Sequence, residues 1–212
     1  MSNMLKNNDF QDIFTKRRSI KVYDPAVKIS REEMAEILTE ATRAPSSSNM
    51  QPWRFLVIDS PEAKAVLAPL ARFNQRQVET SAAVIAIFGD LKSIENAEEI
   101  YGQAVELGYM PLEVKDMQLP FISEYYDNMT PELNRDTVLI DGGLVAMQLM
   151  LVARAHGYDT NAIGGYEKDQ IAEAFGLDPD RHVPVMLISI GKAADSGYPS
   201  YRLPVDKVAI WK

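Results

Sequence analysis

Residues 44–53, Ala44-Pro45-Ser46-Ser47-Ser48-Asn49-Met50-Gln51-Pro52-Trp53, run directly into Arg54-Phe55-Leu56-Val57-Ile58-Asp59. The first stretch sets three hydroxyls and two carboxamides in a row. The second is an apolar strand, stopped by Ser60-Pro61, where Ser caps a helix and Pro takes its first position. Side chains that both donate and accept suit the edge of a heterocycle with alternating carbonyls and ring nitrogens. A polar loop held on a rigid strand can position such a ligand. Ser, Asn and Pro also make turns for backbone reasons alone, so by itself the loop is equally a ligand site or a plain turn.

Working outward, Ser30-Arg31-Glu32-Glu33 has the spacing of a capping box, with Ser30 as N-cap and Glu33 reaching back. Met34, Ile37, Leu38 and Ala41 then follow the period of an amphipathic helix. A short helix after Asn7-Asn8-Asp9 leads to a basic cluster. Downstream, Ala82 to Phe88 is a continuous apolar run, hence a buried strand, ended by Gly89-Asp90. Residues 93–135 mix helical pattern with the breakers Gly102, Gly108, Pro111, Pro120 and Pro131, and read as a helical excursion beside the core. Asp136 to His156 is a long helix closed by Gly157 and apolar on more than one face. Such a helix is central or lies in a subunit interface, and Gly142-Gly143 permits another backbone to approach it. Glu167 to Phe175 is a helix stopped by Gly176, and Val183 to Ile190 is a further buried strand. Strands alternating with helices in this way predict an α+β layered fold: one domain over residues 1–212, with a C-terminal extension at about 204–212.

Composition excludes several chemistries. There is no cysteine, so disulfides, thiolate metal sites and cysteine nucleophiles are ruled out, and two histidines leave little for a metal site. The first ten residues lack the apolar core of a signal peptide, and no uninterrupted apolar run is long enough to span a bilayer. The expectation is a cytoplasmic protein with no membrane partner. The formal net charge of −8 argues against nucleic acid. Charge is uneven, however. Residues 1–31 hold seven Lys/Arg against three Asp, and a compact cationic cluster in an acidic chain suggests a small anion site.

That cluster is Lys16-Arg17-Arg18-Ser19-Ile20-Lys21. Planar guanidiniums match phosphate oxygens, Ser19 adds a hydroxyl and Lys21 a point charge; read alone, a solvated basic helix end accounts for it as well. Ile163-Gly164-Gly165-Tyr166, before a helix, would let backbone approach a flat ring closely, or simply turn the chain. Tyr201-Arg202-Leu203-Pro204 places a late arginine near the end. His156 and His182 read as a helix-end dipole partner and a strand-boundary residue. Phe121, Tyr125 and Tyr126 either cap a pocket or pack the excursion.

Taken in order, R-R-S-x-K, P-S-S-S-N-M-Q-P-W, I-G-G-Y and Y-R-L-P resemble the FMN-dependent nitroreductase family, over about Phe14 to Pro204, and within it the small NAD(P)H nitroreductases of Gram-positive bacteria. The resemblance implies a central mixed or antiparallel sheet surrounded by helices in an intertwined homodimer. It implies that Arg17, Arg18, Ser19, Lys21 and Arg202 hold the phosphate of FMN and nearby flavin atoms. Pro45, Ser46, Ser47 and Asn49 would reach the ring from the partner subunit, with Gln51 and Trp53 structural. Asn74 would bond the pyrimidine edge of the ring, and the backbone of Ile163, Gly164 and Gly165 would sit at flavin N5, with no side-chain acid or base. Three departures stand out. Gln77 replaces a lysine common near the ring, with Arg76 or Lys21 left to compensate; Gly164 replaces a glutamate; Ser200 replaces a lysine beside the late arginine. The implied activity is ping-pong transfer of hydride from NADH or NADPH to a small electron-poor aromatic such as a nitroaromatic or quinone. Flavin reduction, reductive dehalogenation or a non-enzymatic FMN carrier are the alternatives.

Overall fold

The apolar run at 82–88 lies at the centre of the molecule. In the computed structural model, which describes residues 5–212, it forms β2 (Ala83–Asp90), every residue of which is buried. The first four residues of the N-terminal stretch lie outside the described residues. β2 pairs antiparallel with β1 (Trp53–Ile58) from Trp53 opposite Gly89 to Ile58 opposite Val84. On its other side it pairs with β4 (His182–Gly191), through a register irregularity at Ile87/Phe88. β4 in turn pairs with β3 (Asp159–Ile163), so the order is β1-β2-β4-β3 and all pairings are antiparallel. β1 and β3 are therefore the two edges. The chain continues strand pairing past the sheet at two isolated bridges, Ser19 with Thr160 and Tyr23 with Ala193.

Helices cover both faces. α2 (Arg31–Ala41) and α7 (Pro131–Ala155) pack Ile37, Val145 and Leu149 against Ile85 and Ile188. On the opposite face α3 (Pro61–Leu67), α4 (Gln75–Thr80) and α8 (Lys168–Ala174) bury Leu67, Val78 and Ile171 against Val84 and Leu187. α1 (Phe10–Lys16) begins at Asp9, whose carboxylate accepts from Asp12 N–H at 3.1 Å. α5 (Ala97–Glu106) and α6 (Leu112–Asp127) form the excursion, closing over Met50 with Tyr101 and Ile122. A short α9 (Val205–Val208) lies in the exposed C-terminal segment.

Local signals explain most boundaries. Ser60 accepts from Ala63 N–H ahead of Pro61, and Ser30 accepts from Glu33 N–H. The other half of the expected capping box is absent: Glu33 does not reach back but accepts from Tyr158 Oη at 2.6 Å, a tertiary bond outcompeting a local one. The long helix starts five residues earlier than the apolar pattern suggests. Thr130 caps it by accepting from Leu133 N–H, and Pro131 is its first residue rather than a breaker. Pro120 lies inside α6 without ending it. The glycine pair in α7 is half explained. A Cβ on Gly142 would sit 2.6 Å from Val185 Cγ2, so β4 needs that glycine, whereas nothing lies near Gly143.

Candidate active site

The basic cluster starts where α1 stops, with Arg17 as C-cap. Lys16 turns back onto Asp12, and Arg154 from α7 pairs with Asp159 at 2.9 Å and with Asp12 at 3.5 Å. Local carboxylates are thereby taken. Arg17, Arg18 and Arg202 form no ion pair with any carboxylate among the described residues. Arg18 donates only to the carbonyls of Thr15 and Arg17, and Arg202 donates to Ser200 Oγ at 2.6 Å and to Tyr201 O at 3.3 Å. Burial and the charges of Arg202, Arg154 and Arg18 together push the Arg17 guanidinium below its ordinary value. Desolvation is the larger part of this shift, and the positive charge of the neighbouring arginines adds to it.

Two elements bring these cations together. Ile20 N–H donates to Thr160 O at 3.1 Å, laying residues 19–20 along edge strand β3. The C-terminal segment then folds back, and Gly197, at φ 64°, leaves only 3.0 Å between a notional Cβ and both Arg18 Cβ and Ile20 Cδ1. Lys21 and Ser19 lie exposed on the same segment.

The second cluster sits at the far end of β3. From Thr160 to Gly164 the strand advances about 13 Å. Asn74 Nδ2 donates to Gly165 O at 3.0 Å, and Asn74 Oδ1 accepts from the buried Gln77 Nε2 at 3.0 Å. Asn74, Gln77, Ile163, Gly164 and Gly165 are thus adjacent. Neither glycine has a positive φ, so the turn does not require them. Their effect is open space: nothing lies within 4 Å of a Cβ on Gly164, and only Asn74 Nδ2, at 3.7 Å, near one on Gly165. A cavity of about 260 Å³ opens beside them, lined by Leu70, Arg72, Phe73, Gly165, Tyr166 and Glu167. Arg76, the nearby cation, is exposed in the single chain.

The serine loop is elsewhere. It precedes β1, the opposite edge of the sheet, three strand spacings or about 14 Å from β3. Within one chain Pro45, Ser46, Ser47 and Asn49 therefore do not meet the basic cluster or Gly164-Gly165. Their partners are local or on α5 and α7. Ser46 Oγ accepts from Gln51 N–H at 3.0 Å; Asn96 donates to Met50 O and Tyr101 to Ser48 O. Ser47 donates through N–H and Oγ to Asp141, a buried carboxylate that the sequence reading passed over. The signal was present: one acid inside an otherwise apolar helix centre. Ser48, Asn49 and Gln51 all have φ near +50°, which non-glycine residues rarely adopt.

The remaining candidates stay outside both clusters. His156 is buried at the end of α7 with Glu40 at 3.2 Å, and His182 Nδ1 lies 3.0 Å from Asp178 O. Tyr126 packs on Ile122, while Phe121 and Tyr125 are exposed. No group of three metal-ligating side chains occurs among the described residues.

The family model described as "Nitroreductase family" matches residues 14–192. The chain is 67% identical over 209 residues to YdgI of Bacillus subtilis (strain 168), named as a candidate NAD(P)H nitroreductase, covering 99% of this chain and 100% of that protein. It is 42% identical to the CLA biosynthesis enone reductase of Lactiplantibacillus plantarum, covering 90% and 88% of the two chains. A crystal structure from Exiguobacterium sibiricum 255-15, described as a candidate nitroreductase in complex with FMN, superimposes with a TM-score of 0.96 at 66% identity, over 99% of this chain and 100% of that one.

Proposed function

Because the chain belongs to the nitroreductase family, we propose that it binds FMN and acts as an NAD(P)H-dependent oxidoreductase on a small electron-poor aromatic, a nitroarene or a quinone. The observation that carries this reading is the set of guanidiniums at Arg17, Arg18 and Arg202, drawn together without a carboxylate. Guanidiniums without a carboxylate are free to bind an anion, and a phosphate suits their planar donors. The residues present therefore fit the cofactor. Arg17, Arg18 and Arg202 would hold its phosphate, with Ser19 and Lys21 beside them. Asn74, Gln77 and the backbone of Gly164 and Gly165 would meet its ring at the other end of β3. When bound, FMN would supply the two-electron redox chemistry between nicotinamide and acceptor.

The chain's own residues have a limited task. Gly164 and Gly165 leave a face open where nicotinamide or acceptor can stack, and a single open face requires the two to bind in turn. Asn74 and Gln77 offer amide dipoles toward charge that develops on the ring, the usual source of such rate enhancement. The serine loop completes the site only from a second copy, since in one chain it lies on the wrong edge of the sheet. A homodimer also accounts for the apolar surface left bare: Ile140, Leu144 and Met147 along α7, and Val208, Ile210 and Trp211 at the C-terminus.

The test is anaerobic reduction of the purified yellow protein by NADH and NADPH, followed by reoxidation with a panel of nitroaromatics, quinones, free flavin and an enone. The enone is included because of the Lactiplantibacillus plantarum relative's name. Rapid bleaching, then reoxidation by nitroarenes or quinones, is expected. Flavin that stays oxidised under excess reduced nicotinamide would overturn the reading. Sedimentation should give a dimer, and a monomer that retains FMN would remove the shared site.

A further inference from the structure

Three left-handed residues in a four-residue stretch, Ser48 (φ 49°), Asn49 (φ 57°) and Gln51 (φ 50°), need an external restraint, because each carries a Cβ in a crowded conformation. Gln51 N–H to Ser46 Oγ, Asn96 to Met50 O and Tyr101 to Ser48 O supply part of it, and Asp141 holds the residue just before them, Ser47. The Asp141 side chain is 2% exposed at the middle of α7, and its two oxygens accept from Ser47 N–H at 3.2 and 3.1 Å while Oδ1 accepts from Ser47 Oγ at 3.3 Å. The groups facing it are few. Tyr126 from α6 feels its charge, Tyr101 from α5 donates to the neighbouring Ser48 O, and Val185 from β4 packs on Gly142 one residue on. No lysine or arginine offsets its burial. Burial pushes the Asp141 carboxyl up, and only the two Ser47 bonds oppose this. A buried carboxylate without a cation is costly to the fold, and an apolar residue there would fit the helix better.

We infer that Asp141 is a positioning residue for the cofactor: it clamps the strained serine loop and fixes the polarity of the Ser47 hydroxyl. While ionised, Asp141 accepts a hydrogen bond from the Ser47 hydroxyl, so Ser47 Oγ presents only lone pairs outward and recognises a donor, an imide-type N–H or a sugar O–H. Once protonated, Asp141 becomes the donor, the Ser47 hydroxyl hydrogen turns outward, and the loop offers the wrong sign to that ligand. The ligand's identity rests on the FMN reading above; the clamp does not.

The experiment measures FMN dissociation constants of the full-length protein from mildly alkaline to acidic pH for wild type, Asp141→Asn and Ser47→Ala, together with amide hydrogen exchange over 47–51 in cofactor-free protein. An asparagine at 141 accepts from Ser47 N–H but always donates to Ser47 Oγ, so it imitates the protonated state. Asp141→Asn should bind FMN about tenfold more weakly at neutral pH, the loss of one neutral hydrogen bond from the ligand to Ser47 Oγ. The ratio of its dissociation constant to that of wild type should fall toward one on acidification; the phosphate's own titration near pH ~6 is common to both and cancels. Ser47→Ala, on an exposed loop, should show a reduced pH response without unfolding. Asp141→Ala should speed exchange over 47–51, and Asp141→Asn should restore much of the protection. A pH-independent ratio, or exchange unchanged in Asp141→Ala while FMN still binds, overturns the inference. Faster exchange in Asp141→Ala with no FMN binding by wild type would keep the clamp and overturn only the cofactor reading.

Discussion

Two groups of arginines in this molecule differ in what they lack. Around Asp90, Arg181 donates through Nε at 2.7 Å and Nη2 at 2.8 Å, and Arg54 adds Nη2 at 2.7 Å, enclosing a carboxylate with no solvent exposure. Around Arg17, the charges of Arg18 and Arg202 add to its own, and none of these three guanidiniums forms an ion pair with a carboxylate among the described residues, whereas the neighbouring Arg154 has Asp159 and Asp12. The first group is electrostatically complete and ties β1, β2 and the approach to β4 together. The second is incomplete in the chain alone. Counting arginines would not separate them; asking which have found an anion does. The complete corner belongs to the fold and the incomplete one to a ligand.

The sharpest way to break this contrast is to damage the complete corner. Asp90→Asn leaves Arg54 without its carboxylate and Arg181 with Glu95 alone, and should cost about 3 kcal/mol, the low end for breaking a buried pair because both arginines keep some solvent. Urea denaturation should show that loss, with FMN affinity retained in the protein that remains folded; an unchanged midpoint would make the corner incidental. Within the incomplete corner, grip and chemistry should separate. Gly165→Val fills the space beside the ring and should slow reduction by NAD(P)H about a hundredfold, the scale for a misplaced reactant, with little change in FMN affinity. Wild-type reduction rates in that variant would move the hydride cleft elsewhere.

Smallest is the pH response, where the two buried aspartates should oppose each other. Burial, the largest influence on Asp90, pushes its carboxyl up, but the Arg181 and Lys92 N–H bonds and the Arg54 and Arg181 charges together hold it below the usual range. Its stabilisation is therefore present above the ordinary carboxylate value and disappears as pH falls through the lowered one. Asp141 is raised, so its contribution is present below the ordinary value and is lost as pH rises through the raised one. Unfolding midpoints against pH should lose part of their acid-side slope in Asp90→Asn, whereas Asp141→Asn should gain relative stability toward neutral pH. Parallel curves for the two variants would contradict the assignment.

How much was legible beforehand follows the same division. Local chemistry is written locally: Ser30, Ser60 and the apolar run at 82–88 announce two helix starts and the central strand, and each forms. The motif residues Arg17, Asn74, Gly165 and Arg202 were also visible, through their order along the chain. The pairing that completes a group is not local. Asp90 and Arg181 are 91 residues apart, and Ser47 and Asp141 are 94 apart, so neither pattern nor propensity brings them together. Thr130-Pro131 was a readable helix start, hidden among true interruptions such as Gly108. Pro120 shows the converse, a breaker overruled by packing around Ile122.

The central claim, that the unpaired guanidiniums hold a phosphate, is tested most directly by titrating wild type and Arg202→Ala with FMN and with riboflavin, which has the same ring and no phosphate. Wild type should bind FMN far more tightly than riboflavin. Arg202→Ala should weaken FMN by about ten- to a hundredfold, one charge-assisted bond, and leave riboflavin nearly unaffected, so that the gap narrows. Equal losses for the two ligands, or no gap in wild type, would contradict the account.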